Sequence, residues 1–306
     1  MGRKRKGLPV HGWLAVDKPL GMTSTAVVTC VRRITGAAKV GHGGTLDPLA
    51  SGILPIALGE ATKTVSWVMD GAKTYRCSIR WGEARSTDDK EGEVIETCPH
   101  RPSREEILAA LPAFLGEIEQ VPPAFSAVKV DGRRAYDLAR AEQVVELKPR
   151  IVRIDRFELL AQPDDDHAEF EVQTGKGAYI RSLARDLAKA LGTCGHIAAL
   201  RRTSCGPFHE ANAISLDKLE QLGHSAASCV LPVETALDDI PALALTEDEA
   251  RRLHSGQPVP ILRLAARSGL PAIAAGETVR AMAEGKLVAL ARIEAGNLRP
   301  VRVMNL

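Results

Sequence analysis

The chain has 306 residues, of which 45% are hydrophobic and 25% charged, with a formal net charge of +2. This composition is typical of a globular protein and argues against disorder, and no apolar run approaches the ~20 residues of a membrane-spanning helix. The length is sufficient for two domains. A net charge near zero argues against a nucleic-acid partner. However, residues 1–41 hold eight basic side chains and one acidic one, a charge of +7, which leaves −5 for the remainder.

The first ten residues form a basic tail. Residues 3–6 read RKRK, and the polar residues after them exclude the apolar core of a signal peptide. The tail is either a solvated end or an arm that seeks phosphate groups. The six cysteines show neither a CxxC pair nor metal-ligand spacing, so we expect reduced thiols in a cytoplasmic protein and no metal site.

The first third of the chain predicts two strands and two helices around a glycine-rich loop. In chain order these are a strand at 12–16, a helix at 24–35, a loop at 41–52, a helix at 61–69 and a strand at 73–81. Ser24 can cap the first helix and Gly36 can end it. The loop holds four glycines and a proline in twelve residues, which indicates a tightly shaped backbone.

The middle of the chain predicts further alternation of strands and helices. The elements are a turn at 85–92, a strand at 93–97, a helix from Ser103 that Pro112 shortens, an extended segment at 120–129, a short helix at 133–141, strands at 151–160 and 169–173, a helix at 178–191, a strand at 197–203 and a helix capped by Ser215. Ser103 and Glu106 have the spacing of a capping box.

The last quarter predicts a small β-rich domain. Two prolines and two aspartates between residues 231 and 242 indicate a domain boundary. Thr246 and Glu249 form a second capping box, and 287–293 with 298–304 predict a hairpin around Gly296. Residues 243–306 carry a net charge of +3.

Several catalytic motifs match only in part. The glycines at 36 and 41 have the spacing of a phosphate-binding loop, but the required Lys-Ser/Thr pair is missing. Residues 126–129 read SxxK without the partner motifs of penicillin-binding enzymes. The three acids at 164–166 beside His167 are typical of a solvated turn. None of these patterns supports a metal or nucleotide site.

Asp47 lies in the glycine-rich loop, between Leu46 and Pro48. Pro48 fixes the backbone, and Gly43 and Gly44 permit a ligand to approach closely, so the carboxylate is placed as a catalytic group would be. Alternatively, Asp47 is an Asx-turn residue that binds the amides of its own loop. The residues alone leave both readings open.

Residues 41–55 read GHGGTLDPLASGILP and resemble the signature segment of the TruB family of tRNA pseudouridine synthases. Further segments resemble the family in the same order: DKP at 17–19, GEATK at 59–63, KTY at 73–75, PP at 122–123 with SAVK at 126–129, and KGAYIR at 176–181. The resemblance covers residues 11–236, and residues 243–306 resemble the PUA-type RNA-binding domain that follows in bacterial members.

The resemblance implies an α+β fold with a mixed, largely antiparallel sheet, flanking helices and a small C-terminal β-barrel-like domain. It divides the chain into a tail at 1–10, a catalytic domain at 11–236 and a PUA-like domain at 243–306. It also implies an enzyme without a cofactor that flips one uridine of the tRNA T-loop, position 55, and converts it to pseudouridine. Separately, we expect the protein to be a monomer. The rival hypothesis is a non-catalytic tRNA-binding or folding chaperone.

Individual roles follow from matched positions. Asp47 matches the catalytic aspartate, Arg181 the arginine that holds it in a two-point fork, and Tyr75 the aromatic ring that stacks on the flipped uracil. The remaining matched positions are expected to contact substrate or support the loop: His42, Tyr179, Leu200, Lys18, Lys63 and Asp89.

Overall fold

The computed structural model describes residues 7–126, 147–262 and 276–306, apart from the side chain of His224, together with Leu264 and the backbone of residues 129–130 and 133–134. The α-helices whose whole extent is described are α1 (Ser24–Thr35), α2 (Val65–Asp70), α3 (Arg104–Ala110), α4 (Ile180–Ala190), α5 (Leu216–Leu222) and α6 (Glu247–His254). Short 3-10 helices cover Gly59–Lys63, Leu111–Phe114, Glu210–Asn212, Gly223–Cys229 and Val233–Leu237.

The strands belong to one large sheet, one smaller sheet and two hairpins. In chain order they are β1 (Gly12–Lys18), β2 (Val40–His42), β3 (Ala50–Leu58), β4 (Lys73–Trp81), β5 (Glu83–Arg85), β6 (Val94–Thr97), β7 (Gly116–Gln120), β8 (Lys129–Val130), β9 (Arg133–Arg134), β10 (Arg150–Asp164), β11 (His167–Thr174), β12 (Gly195–Cys205), β13 (Phe208–His209), β14 (Ala213–Ser215), β15 (Ala242–Ala244), β16 (Val259–Pro260), β17 (Thr278–Ala283), β18 (Lys286–Glu294) and β19 (Asn297–Val303).

The large sheet has the order β14-β1-β3-β12-β4-β11-β10-β7, with β2 added to β3 and β13 to β12. The pairs β1–β14 and β3–β12 are parallel, and the other pairs are antiparallel. The prediction of an α+β fold with a mixed, largely antiparallel sheet is therefore confirmed.

Four helices cover one face of this sheet because alternate strand residues and the apolar stripes of the helices are buried together. On β4 the inward face carries Cys77, Ile79 and Trp81, as the alternation predicts. The helices α1, α3, α4 and α5 supply Val27, Ile107, Leu183 and Leu219 to the same core. No helix within the described ranges is long and apolar enough to cross a membrane.

The helix ends follow the capping signals with one exception. Gly36 closes α1 at φ 65°, and the Ser103–Glu106 capping box is present on α3, which stops before Pro112. The prediction that Ser24 caps α1 is wrong, because Thr23 accepts the hydrogen bond from the Ala26 amide. Ser24 instead bonds a distant loop, since its side chain is buried.

Three predicted elements differ or lie outside the described residues. The helix predicted at 61–69 is divided, because a 3-10 turn over Gly59–Lys63 precedes α2. The short helix predicted at 133–141 begins instead as strand β9, paired with β8, and its remainder lies outside the described residues, as do residues 1–6 of the tail.

The second sheet has five strands in the order β15-β17-β18-β19-β16 and curls into a half-barrel. Its first strand begins at Ala242. The capping box of Thr246 and Glu249 starts α6, as predicted. The predicted hairpin is β18–β19, and its turn uses Ala295 and Gly296, which both have positive φ.

A shared apolar core joins the two sheets. Trp13, Ile53 and Phe208 extend from the face of the large sheet opposite the helices, and they pack in one cluster with Leu290 and Met304 of the half-barrel. Because β1 and β3 are buried on both faces, their sequences are almost continuously apolar. The half-barrel is therefore packed on the large sheet and is not merely tethered to it.

This shared core leads to a prediction about unfolding. We expect Met304→Ala to lower the free energy of unfolding by about 2–5 kcal/mol, because Met304 is only 2% exposed and its loss leaves a cavity between the sheets. Urea unfolding followed by circular dichroism should show one transition for both sheets. Leu262→Ala is the control, since Leu262 is 84% exposed. Two separate transitions in the unaltered protein would contradict the shared core.

Candidate active site

The loop that carries Asp47 joins β2 to β3 and is held by backbone groups on two sides. The Gly43 amide donates to the Pro55 carbonyl at 2.7 Å, and the Gly21 amide donates to the Pro48 carbonyl at 2.7 Å. The buried Ser24 hydroxyl exchanges two hydrogen bonds with the backbone of Leu46, at 2.8 and 2.9 Å. The loop is therefore fixed to the β1–α1 turn before any ligand binds.

Gly52, near the start of β3, is a glycine of the 41–52 segment that the structure requires. Its φ is +99°, and a Cβ atom there would lie 2.2 Å from the Arg202 carbonyl oxygen on the neighbouring strand. A side chain is excluded by both the backbone conformation and the space. The parallel pairing of β3 with β12 therefore requires glycine at this position.

Arg181 connects Asp47 to the rest of the protein. It lies in the first turn of α4, its side chain is 5% exposed, and its Nη2 is 2.9 Å from Asp47 Oδ2. Its terminal nitrogens also donate to the carbonyls of Thr87 and Phe125, at 3.0 and 2.9 Å. The guanidinium therefore contacts several acceptors at once. It does not bind Asp47 through the two-point fork that was expected.

Asp89 supports the same guanidinium from behind. Its Oδ2 lies 3.5 Å from Arg181 Nη1, and its side chain is 3% exposed. Thr87 and the Glu91 amide both donate to the other oxygen of Asp89, so the carboxylate is fixed in its turn. Asp89 is placed as a support for Arg181 and does not line the cavity.

A cavity of about 270 Å³ lies beside this ion pair. Five of the residues predicted from the sequence line it: Asp47, Tyr75, Tyr179, Arg181 and Leu200. This volume is close to the lower limit of about 300 Å³ for small-molecule sites, so it suits one ring-sized group. The structure thus brings the three residues expected to be catalytic, which are distant in sequence, around one small space.

Tyr75 reaches the cavity from β4. Its burial raises the pKa of the phenol, and the positive charge of the neighbouring Arg202 opposes that shift. The two residues are also opposite each other in the register of β4 and β12. Tyr75 is therefore a largely desolvated hydroxyl beside a fixed positive charge.

Lys18, on β1, is fully buried and lies outside the cavity. Its ammonium donates to the carbonyls of Pro19 and Met22 at 2.9 and 2.7 Å, and it is 3.4 Å from the Pro48 carbonyl. Burial lowers the pKa of Lys18 to about 8, although the charge of Asp47 opposes the shift. Its contacts make it a support of the loop.

His42 and Lys63 also lie outside the cavity lining. His42 is on β2, where burial lowers the pKa of its imidazole, and no described residue bonds its Nδ1. Lys63 lies at the junction of the sheets, since its ammonium donates to the Val303 carbonyl at 2.7 Å and lies 2.5 Å from Glu60. Glu60 in turn accepts from the Asn305 amide at 2.9 Å.

Arg202 is the main site residue that the sequence analysis missed. It is 2% exposed, its Nε donates to the Ile53 carbonyl at 2.7 Å, and its Nη2 donates to the Gly44 carbonyl at 3.1 Å. Leu200 was expected to contact substrate, and strand alternation places Arg202 on the same face of the strand. A basic residue at this position is a sequence signal that could have identified it.

Ser126 and Lys73 are among the other residues that line the cavity, and neither was predicted as a site residue. The Ser126 hydroxyl is buried and has no hydrogen-bond partner among the described residues, and Lys73 donates to the carbonyls of Met69 and Gly71.

The described residues also include one group of three side chains that could bind a metal ion, and this group does not line the cavity. Its members are Glu96, Cys98 and Cys194.

Comparison with known families gives two adjacent matches. Residues 32–180 match the profile described as TruB family pseudouridylate synthase (N terminal domain), and residues 181–238 match the one described as tRNA pseudouridylate synthase B C-terminal domain. Residues 239–306 lie outside both profiles. The junction between the two profiles falls at Arg181, within the site.

Full-length relatives are also similar. The protein of Rhodospirillum rubrum named tRNA pseudouridine synthase B is 61% identical over 308 residues, covering 100% of both chains. The protein of the same name in Caulobacter vibrioides is 54% identical over 309 residues, again covering 100% of both.

Solved structures share the fold. A chain of an archaeal box H/ACA sRNP Nop10–Cbf5 complex superposes with a TM-score of 0.72 at 24% identity, covering 99% of this chain and 92% of that one. A chain of a Cbf5–Nop10–Gar1 complex gives a TM-score of 0.71 at 26% identity, covering 99% and 89%.

The buried lysine predicts how stability changes with pH. Between pH 8 and 10.5 the unfolded chain retains a proton on Lys18 that the folded chain has released. Because the unfolded state binds more protons, Lys18 raises the free energy of unfolding as the pH rises through this window. Relative to Lys18→Met, the free energy of unfolding of the unaltered protein should therefore rise by about 3 kcal/mol across this window. Urea titrations at a series of pH values measure it. The exposed Lys176→Met is the control, and parallel pH profiles of the unaltered protein and Lys18→Met would contradict the prediction.

The contacts of Arg202 lead to a second prediction. Arg202→Met leaves the carbonyls of Gly44 and Ile53 without their donor, which should lower the free energy of unfolding by about 3 kcal/mol. Amide hydrogen exchange should accelerate over residues 43–53. The neighbouring Arg201→Met is the matched control, because Arg201 is 35% exposed and pairs with Asp17 and Glu210 at the surface, so its loss should cost less than about 1 kcal/mol. Equal effects of the two substitutions would exclude the support role.

Proposed function

Because the chain belongs to the TruB family of pseudouridylate synthases, we propose that it isomerises one uridine of the tRNA T-loop, position 55, to pseudouridine. The observation that carries the proposal is the Asp47–Arg181 ion pair at 2.9 Å on the edge of a ring-sized cavity that Tyr75 also lines. The names of the relatives support tRNA as the substrate, and the geometry of the site supports the residue roles.

The reaction breaks the bond between C1′ and N1 of the uridine, turns the base and forms a bond between C1′ and C5. The proton on C5 must leave and N1 must gain one, so no atom is gained or lost overall. A carboxylate beside the ribose serves as the nucleophile or base that starts this exchange. The Asp47 side chain is held by Arg181 yet remains 35% exposed, so it is both fixed and accessible.

The cavity supports base flipping. A duplex or folded loop hides the reacting atoms, so an enzyme must take the base out of its stack and hold it in a pocket. Leu200 and the ring of Tyr75 offer apolar contact for a flat base. In its phenolate form, which the charge of Arg202 favours, Tyr75 is the proposed acceptor of the C5 proton. Tyr179, whose ring lies beneath the Arg150 guanidinium at 4.7 Å, is proposed to contact the same nucleotide.

The remaining predicted residues divide into an RNA contact and supports. His42 is proposed to fill the space that the flipped base vacates in the T-loop. Lys18 and Asp89 are proposed to support the loop and Arg181, which agrees with their buried contacts. For Lys63, the contact with Val303 favours a role in holding the half-barrel.

We also assign the half-barrel, residues 243–306, as a PUA-like domain that grips RNA. Four exposed basic side chains lie on its hairpin, at Lys286, Arg292, Arg299 and Arg302. Arg292 and Arg299 are opposite each other in the register of β18 and β19. Paired cations of this kind can contact successive phosphates and give salt-dependent binding.

The test of the catalytic proposal is Asp47→Asn. We expect pseudouridine formation in a T-loop transcript to fall by at least about 10³-fold, because an amide can act neither as nucleophile nor as base. Affinity for the transcript should stay within about threefold, since phosphate contacts dominate binding. Turnover is measured by mapping pseudouridine, and affinity by filter binding.

The control is Asp155→Asn, which removes a surface carboxylate paired with Arg153 and should leave turnover unchanged. Retained turnover in Asp47→Asn would exclude the assigned role. If the unaltered protein binds the transcript without forming pseudouridine, the protein is instead a tRNA-binding or folding chaperone.

A further inference from the structure

Glu96, Cys98 and Cys194 form a cluster that has no part in the cavity. Their ligand atoms lie within 4.8 Å of one another, and the two sulfur atoms are 2.8 Å apart. Cys98 follows strand β6, whereas Cys194 immediately precedes β12, 96 residues later. The cluster therefore joins two distant segments of the chain.

The backbone around the cluster is fixed by hydrogen bonds. Gly82 lies between the two cysteines, since the Cys98 amide donates to its carbonyl at 2.9 Å and its own amide donates to the Cys194 carbonyl at 2.8 Å. Thr193 donates to the His100 carbonyl at 2.9 Å, and Arg101 donates to the Cys98 carbonyl at 2.8 Å. The two thiols are thus brought together by contacts that do not depend on an ion.

We propose that Glu96, Cys98 and Cys194 bind a soft divalent cation of the zinc type. Two thiolates and one carboxylate are a ligand set that suits zinc, and one coordination position remains for water. Cys194 is buried whereas Glu96 is exposed. The ion would therefore bind a thiolate on its buried side and could enter the site from solvent on the side of Glu96. Binding releases the two thiol protons to water and needs no oxidant.

The third ligand favours an ion over a disulfide. Two sulfur atoms at 2.8 Å can move apart to about 3.7 Å, the separation of tetrahedral ligands that each lie about 2.3 Å from zinc, or they can close to a covalent bond. Closing to a disulfide transfers two electrons to an oxidant such as a peroxide and gives the Glu96 carboxylate no role. The ion uses all three groups.

The site lies at the base of the β5–β6 hairpin, whose connecting loop carries Asp89. An ion there would fix that loop, and hence Asp89, behind Arg181. The proposal is independent of the reaction assigned to the cavity, because its primary measurement is metal binding.

The test uses the full-length protein, freed of metal with a chelator and reduced with a phosphine, and titrated with Co²⁺. We expect one Co²⁺ per chain with a thiolate-to-cobalt charge-transfer absorption that Zn²⁺ abolishes by displacement. Cys98→Ser should lose this absorption, and Glu96→Gln, at an exposed position that folding tolerates, should weaken binding by about tenfold. Cys30→Ser is the matched control and should bind as the unaltered protein does.

The absence of the charge-transfer absorption in the reduced protein would overturn the proposal. It would also be overturned if the protein before reduction were 2 Da lighter, the mark of a disulfide, and the reduced protein then bound no Co²⁺. Unchanged affinity in Glu96→Gln would overturn the three-ligand site. Circular dichroism of each variant separates lost binding from lost folding.

Discussion

The structure depends on the cost of burying the charge of Arg181. A guanidinium that is 5% exposed must find acceptors within the protein, and here it has the carboxylates of Asp47 and Asp89 and two backbone carbonyls. These acceptors belong to separate parts of the chain, so one cation determines how the β2–β3 loop, the β5–β6 hairpin and the start of α4 meet. The position of Asp47 follows from this meeting, since its carboxylate occupies the acceptor place that faces the cavity.

Arg202 plays the complementary part on the other side of the loop. Arg202 lies on β12, between β3 and β4, opposite Gly52 on one strand and Tyr75 on the other. Its backbone approaches Gly52 closely, and its side chain donates to the Gly44 carbonyl of the loop and to the Ile53 carbonyl of β3. The acceptors of Arg202 are backbone carbonyls, which carry no net charge, so they do not neutralise its positive charge. This charge acts on Tyr75 and His42, where it opposes the effect of burial on the phenol and adds to that effect on the imidazole.

Much of this arrangement could be predicted from the sequence. Alternation on β4 and capping boxes at Ser103 and Thr246 are local signals, and the structure confirms them because local interactions decide those elements. The resemblance at 41–55 and 176–181 identified Asp47 and Arg181, which the structure places in contact. The uses of Ser24 and Arg202 could not be read locally, because their partners lie 22 and 149 residues away. The proximity of Cys98 and Cys194 was not predicted for the same reason, since motif spacing detects only ligands that are close in sequence.

The packing of the half-barrel restricts the size of a ligand that can contact the cavity and the basic hairpin at the same time. Trp13 and Ile53 contact the half-barrel through a common core. Lys63 bonds the last residue of β19 and Glu60 bonds the chain just beyond it, so close packing sets the distance from the cavity to the basic hairpin. A flexible linker would let the two surfaces adjust to ligands of many sizes. In this protein the separation between the cavity and the hairpin is constant. A ligand that fills the cavity therefore contacts the hairpin only if its own length matches that separation.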